Sequence, residues 1–239
     1  MKTVSPSLSG VYFLPFAFGI FASAVLGGVL LTNTGTYKPF HAASFAISAI
    51  GFGLFTLLDH GTPKIAWVLF QFIAGVGAGL PLSTLLPAIM VALPESRVAG
   101  ATAAYTFTKT FGYIWGVMVP SIIFNTVFNA NLGLISSEEL CFQLRDGAAY
   151  AYAGEMHRVR LPRKVRDEVI QVYTKSLKTI WWTGLGISLA GFLLVWIEED
   201  LELRTNLVTD YGLERPGASS EEELVEEASA RTASPKSFV

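Results

Sequence analysis

Residues 65–86 read IAWVLFQFIAGVGAGLPLSTLL, and no charged residue occurs from Ile65 to Leu93. A helix of about 20 apolar residues spans the roughly 30 Å hydrocarbon core of a bilayer. Four further runs of this kind lie at 10–31, 41–58, 102–128 and 179–197. The first three runs are separated by short connectors that contain Gly, Pro, Asn or Asp, which form turns. We therefore predict an all-α fold, a multi-pass transmembrane helix bundle with about five spans in residues 1–197.

The first run has a second interpretation as a secretory signal. Ala22-Ser23-Ala24 resembles the small-residue site at which a signal is cleaved. The apolar run continues to Leu31, however, and signals have a core of only roughly 7–15 apolar residues. We therefore expect this run to be a span.

Composition and charge exclude several classes of function. Hydrophobic residues make up 51% of the 239-residue chain and charged residues 15%, against about 25% charged in a soluble domain. The net charge is +5 over residues 1–197 and −7 over residues 198–239. No dense basic face is present, so we expect no nucleic-acid partner. We predict that residues 198–239 form an acidic, disordered tail.

The residues needed for metal binding or catalysis are scarce. Cys141 is the only cysteine, and the three histidines, His41, His60 and His157, lack zinc-ligand spacing. No Asp or Glu lies in any predicted span, and no nucleophile motif occurs. We therefore predict no metal, no cofactor and no enzymatic activity.

Pairs of glycines four residues apart recur in the predicted spans. Gly75 and Gly79 form one pair, and Gly112 and Gly116 form another. Because lipid provides no hydrophobic force between helices, spans associate where small residues let their backbones approach. We predict that these four glycines are helix-packing positions. The alternative is that they are sliding contacts in a transporter whose halves rock against each other.

Lys109 is the only residue in a predicted span that is charged at neutral pH. A lysine at the centre of a span costs about 2.5–3.5 kcal/mol on insertion scales. Residues 110–128 are already long enough to span, so Lys109 has two possible positions: at the interface, or on a substrate pathway or helix contact. Gln71 and Asn125 are further polar candidates for a substrate pathway.

The segment 129–178 is a polar loop with one periodic feature. Pro162 suits the first turn of a helix, and Val165, Val169, Tyr173 and Leu177 then recur at a spacing of four. This apolar stripe predicts a helix that lies on the bundle and leads into the last span.

Several motifs resemble a known family. SGVYFLPF at 9–16, GTYKPF at 35–40, GVGAG at 75–79 and FTKTFG at 107–112 resemble the fungal major facilitator superfamily. The branch that these motifs resemble is the drug:proton antiporters with fourteen spanning helices, which includes toxin efflux pumps. The resemblance implies that the chain corresponds to the C-terminal five helices. It also implies that Gly35, Tyr37 and Lys38 belong to a cytosolic loop.

The function implied by this resemblance is the C-terminal portion of an efflux transporter. When complete, it would export a small organic molecule or toxin by proton antiport. The alternative is a truncated or accessory multi-pass membrane protein without transport activity of its own. The implied partners are the lipid bilayer, a small organic substrate and a polypeptide that carries the missing N-terminal helices. The implied location is the plasma membrane, with the vacuolar or another internal membrane as the alternative.

The side of the membrane on which each loop lies is open to two interpretations. The resemblance places the loops at Lys38 and Arg97 in the cytosol and residues 129–178 outside. Positive charges near the span ends favour the opposite orientation weakly, because several of them fall in 164–178. We give more weight to the resemblance, since the first helix of the full transporter normally dominates orientation.

Overall fold

The computed structural model describes residues 6–59, 61–155, 159, 161–199, 201 and 203. His60, His157 and residues 205–239, which include most of the predicted acidic tail, lie outside these described residues. Seven α-helices occur in the described part of the chain. They are α1 (Pro6–Thr34), α2 (Lys38–Thr56), α3 (Lys64–Val91), α4 (Val98–Ala130), α5 (Glu138–Leu144), α6 (Ala148–Glu155) and α7 (Arg163–Val195).

The five long helices, α1, α2, α3, α4 and α7, are each long and apolar enough to cross a membrane. The prediction of an all-α multi-pass bundle with about five spans is therefore confirmed. Short connectors make successive long helices antiparallel. At the first of these connectors Gly35 has φ +68°, and its N–H donates to the carbonyl of Leu31 (2.9 Å). This left-handed conformation, which glycine adopts without a Cβ clash, ends α1 and turns the chain into α2.

The order of the helices in space differs from their order in the chain. α3 packs against α1 on one side and against α2 on the other. α2 then packs against α7, and α7 packs against α4. We call the end of the bundle with Gly35, Tyr37 and Lys38 the motif end, and the opposite end the cap end.

Only part of the predicted polar loop 129–178 is loop, because it contains α5, α6 and the first half of α7. α5 begins at Ser137, whose hydroxyl accepts a hydrogen bond from the N–H of Leu140 (3.4 Å). α7 begins directly after Pro162 and continues without a break into the last span. The helices form here because short polar stretches still carry capping residues and apolar positions at helical spacing.

These helices and the adjoining ends of α4 and α7 form a compact unit, which we call the cap. Its buried side chains include Phe124 and Phe128 from α4, Leu144 from α5, and Val169 and Tyr173 from α7. The Tyr173 hydroxyl donates to the carbonyl of Ala149 (2.5 Å). The cap thus has a buried core of its own.

The middle of α4, unlike its cap end, is exposed. Every residue from Phe107 to Met118 except Lys109 is exposed, and the Phe107 side chain is 73% exposed. α4 packs against α7 mainly through its cap end, so about three turns of an apolar helix are left largely uncovered by the described residues.

Candidate functional site

The closest approach between α1 and α3 is made by main chain at glycine positions. A Cβ on Gly75 would overlap the carbonyl oxygen of Phe16, and a Cβ on Gly79 would overlap atoms of Ile20 and Ser23. Gly19 on α1 meets the backbone of α3 in the same way. The structure therefore places Gly75 and Gly79 at a close helix contact, as the pattern of small residues predicts.

The next glycine of the same run faces the other neighbour. A Cβ on Gly77 would overlap Ser48 of α2, and the carbonyl of Gly77 accepts a hydrogen bond from the Ser44 hydroxyl (2.8 Å). Side chains two positions apart on a helix point in directions that differ by about 200°, so Gly75 and Gly77 face different neighbours. GVGAG therefore lets α3 pack closely on two sides and makes it the central helix.

Gly112 and Gly116 of α4, unlike the glycines of α3, do not contact another helix among the described residues. A Cβ on either would meet no atom within 4 Å in the described part of the chain. Their role as packing positions stays a prediction.

A cavity of about 520 Å³ opens between α1, α2, α3 and α7 towards the cap end. Its aromatic walls include Tyr12, Trp67 and Trp181. Its rim carries the ion pair of Asp59 with Lys178 (3.0 Å), which joins the end of α2 to α7. A volume of this size, with mostly apolar walls and a few polar groups, is typical of sites for small organic ligands.

Gln71 lies in the wall of this cavity and bridges two helices. In the amide orientation that satisfies its neighbours, its nitrogen donates to the carbonyl of Tyr12 on α1 (2.9 Å). Its oxygen accepts from the indole N–H of Trp67, one turn earlier on α3 (3.3 Å). Gln71 therefore links the main chain of α1 at Tyr12 to the Trp67 side chain, whose ring packs edge-on against the Tyr12 ring (centroids 5.0 Å apart).

The other two predicted pathway residues lie elsewhere. The Lys109 ammonium lies between two rings of its own helix, 5.8 Å from the ring centre of Tyr105 and 6.0 Å from that of Tyr113. Asn125 faces Gly147 in the cap, and its buried Oδ1 has no hydrogen-bond partner among the described residues. The structure thus does not bring Gln71, Lys109 and Asn125 into one site.

At the motif end, the predicted loop residues bind the segment that follows α7. The Tyr37 hydroxyl donates to the carbonyl of Glu199 (2.6 Å) and accepts from the N–H of Leu201 (3.2 Å). Lys38 Nζ donates to the carbonyl of Glu198 (2.5 Å). Glu198 and Glu199 are the first residues of the predicted acidic tail 198–239, most of which lies outside the described residues.

A buried histidine completes this contact. His41 is 4% exposed, and its Nδ1 lies 2.9 Å from one carboxylate oxygen of Glu198 and 3.0 Å from the other. Sequence reasoning missed this pair, because 157 residues separate the two. It also missed Tyr12 and Trp67 as cavity residues, although Trp67 stands one helical turn before Gln71.

The described residues contain no group of three or more His, Cys, Asp or Glu side chains that could hold a metal ion. The geometry thus consists of closely packed membrane helices, an aromatic cavity and an uncovered helix. These features are those of a multi-pass membrane protein.

Comparison with known proteins identifies the family. The chain is 42% identical over 214 residues to the MFS efflux transporter aclA of Aspergillus oryzae and 43% identical over 224 residues to the MFS-type transporter ucsD of Acremonium sp. It is 39% identical over 234 residues to the efflux pump FUS6 of Gibberella moniliformis. Over the part that it spans, the chain belongs to these fungal major facilitator transporters, and the resemblance seen in its motifs is confirmed.

These matches cover most of this chain but less than half of each relative. They cover 90%, 93% and 95% of the chain, and 39%, 38% and 42% of the respective relatives. The chain therefore spans about two fifths of the length of the curated relatives, and it is a partial transporter sequence. No model of a protein family matches the chain, and no solved structure gives a significant match.

Proposed function

We propose that the chain forms the C-terminal membrane portion of a transporter that exports a small organic molecule from the cytosol, in exchange for protons when complete. The observation that carries this proposal is the identity of about 40% with fungal efflux transporters over nine tenths of the chain. We propose the plasma membrane as its location. In this arrangement the motif end faces the cytosol and the cap lies outside.

We assign the cavity beside Gln71 to the substrate pathway. Its aromatic walls suit the flat or apolar part of a small organic molecule, and Gln71 and the Asp59–Lys178 pair offer polar partners. Lys109 and Asn125 are the other two proposed pathway residues. They lie apart from the cavity, Lys109 on the uncovered helix and Asn125 in the cap.

The chain contains only part of the helices that transport requires. Alternating access requires two bundles that move around a shared site. The chain has five spanning helices, which are too few to form two such bundles. No Asp or Glu lies inside any predicted span, so the chain lacks an acidic proton carrier at membrane depth. We therefore expect transport only when the remaining helices of the transporter are present.

An efflux assay in a pump-deficient yeast tests this proposal. We expect no export from the 239-residue chain alone, and export when the rest of a relative such as aclA is co-expressed with it. Gln71→Leu should lower the restored export, whereas Gln171→Leu, on the exposed surface of α7, should not. Proton-dependent export by the chain alone would contradict the proposal.

A further inference from the structure

Lys109 lies near the middle of the part of α4 that crosses the membrane. Arg97, exposed at the motif end, precedes it by 12 residues, and Phe124, buried in the cap, follows it by 15 residues. At about 1.5 Å per residue these separations are roughly 18 Å and 22 Å. They add to about the full thickness of a bilayer with its headgroups. The lysine side chain is too short to reach either end, so its ammonium stays at membrane depth.

Nothing described in this chain compensates that charge. The Tyr105 and Tyr113 rings provide cation–π contacts with Lys109 Nζ, but these leave the charge in place. No ion pair to Lys109 occurs among the described residues. Charged groups at this depth face the interior of a helix bundle or a water-filled cavity, and they pair with an opposite charge or with backbone carbonyls. For a lysine, the opposite charge is a carboxylate.

The two sides of α4 differ in the residues that they carry. Lys109, Gly112 and Gly116 follow one another at spacings of three and four and so share one side with Tyr105 and Tyr113. We call this side the Lys109 face. The opposite side carries the bulky apolar residues Phe107, Phe111, Ile114 and Met118, all exposed. Bulky residues suit lipid, whereas glycines beside a charge suit close approach by another helix.

We propose that the Lys109 face docks a membrane-spanning helix with an Asp or Glu near its midpoint, supplied by the part of the full-length transporter that this chain does not span. The relatives have that additional length, since the chain matches only about two fifths of each. This proposal requires neither a particular substrate nor a direction of transport.

Other occupants fit less well. A second copy of the chain offers no carboxylate at this depth, because its predicted spans contain no Asp or Glu. Lipid phosphates lie at the bilayer surfaces, about 18 Å or more from Lys109 along the helix. A small organic anion would cover only part of the exposed stretch of α4, which is about three turns long.

Binding of designed helices tests the proposal. The full 239-residue chain, with its native tryptophans (Trp115 of α4 among them) as energy donors, is reconstituted in phosphatidylcholine nanodiscs. It is mixed with acceptor-labelled, Leu/Ala-rich 21-residue helices that differ only in a central Glu, Gln or Leu. Energy transfer reports association. We expect the Glu helix to bind severalfold more tightly than the Gln and Leu helices, a comparison that needs no variant of the chain.

Variants then test whether Lys109 is the partner. Lys109→Gln should abolish the preference for the Glu helix, and Lys109→Arg should retain it. Lys164→Gln, at an exposed position in the cap, is the matched control and should leave the preference unchanged. Equal binding of the Glu and Gln helices, or an unchanged preference in Lys109→Gln, would overturn the proposal. So would displacement of the Glu helix by millimolar benzoate, which would indicate a small-anion site.

Discussion

Gly75 on α3 lies so close to the main-chain carbonyl of Phe16 on α1 that no side-chain atom fits between them. Two residues further along the same helix, Gly77 approaches Ser48 of α2 as closely. One five-residue run thus determines the distances from α3 to both of its neighbours. In lipid, where burial of apolar surface does not drive helices together, such close contact is the main source of helix association.

A leucine at Gly75 should therefore separate α1 from α3. The added side chain would collide with backbone, which cannot move aside as a flexible side chain can, and overpacking of this kind costs about 1–3 kcal/mol or more. We expect a severalfold lower yield of monodisperse protein in detergent for Gly75→Leu, measured by fluorescence-detected size-exclusion chromatography.

Gly53→Leu is the matched control for this experiment. Gly53 is also a helical glycine in a span, but a Cβ there meets nothing within 4 Å in the described part of the chain. Its yield should stay near that of the unchanged protein. Equal losses in the two variants would show that the close contact at Gly75 has no special importance.

Tyr37→Phe should release the segment after α7 from the motif end. The substitution removes the hydroxyl that bonds the Glu199 carbonyl and the Leu201 N–H, and each such bond contributes about 0.5–1.5 kcal/mol. We expect faster hydrogen exchange at Leu201 and also at Leu203, whose N–H donates to the carbonyl of Gly35 (3.1 Å). Tyr113→Phe, at an exposed position on α4, should leave both rates unchanged; unaltered exchange in Tyr37→Phe would show that these bonds do not hold the segment.

Tyr173→Phe should loosen the cap. It removes the hydrogen bond from the Tyr173 hydroxyl to the Ala149 carbonyl, and such a bond contributes about 0.5–1.5 kcal/mol. The native Cys141 is the reporter, because its sulfur lies inside the cap, 3.3 Å from the carbonyl oxygen of Leu132. We expect severalfold faster reaction of Cys141 with a maleimide. Tyr150→Phe, at a 49% exposed side chain, should react at the original rate, and equal rates in all three proteins would argue against a cap held by this bond.

The motif end and the cap should lie on opposite sides of the membrane. In a Cys141→Ala background, Ser96→Cys marks the motif end and Gly133→Cys marks the cap, and both positions are exposed. With the cap outside, an impermeant maleimide should label Gly133→Cys in intact cells and Ser96→Cys only after permeabilisation. The reverse pattern would mean an inverted orientation, and labelling of both in intact cells would rule out an odd number of crossings between them.

Much of the fold follows from the sequence. A run of apolar residues long enough to span a bilayer must form a helix, because only a helix satisfies its own backbone hydrogen bonds in lipid. The runs around Gly75 and around Lys109 could therefore be assigned to spans without any tertiary information. The spacing of Val169 and Tyr173 likewise predicts the helix that extends α7 into the cap, since periodicity is a local property.

The candidate site depended on tertiary structure. Sequence alone named Gln71, Lys109 and Asn125 as one group, but polarity within a span does not determine the direction in which a side chain points. Packing determined that direction: α1 brings the Tyr12 carbonyl to Gln71, the cap encloses Asn125, and nothing described covers Lys109.

The contact of His41 with Glu198 illustrates the same limit. The sequence by itself determined the five spanning helices, because these depend on residues a few positions apart; the structure extends α4 to Val98–Ala130 and α7 to Arg163–Val195. Only the tertiary structure decided that the residues following α7 return to the loop at Tyr37, and that a histidine in α2 meets a carboxylate 157 residues later. Such contacts depend on how the helices are arranged in space, and no local pattern of residues encodes that arrangement.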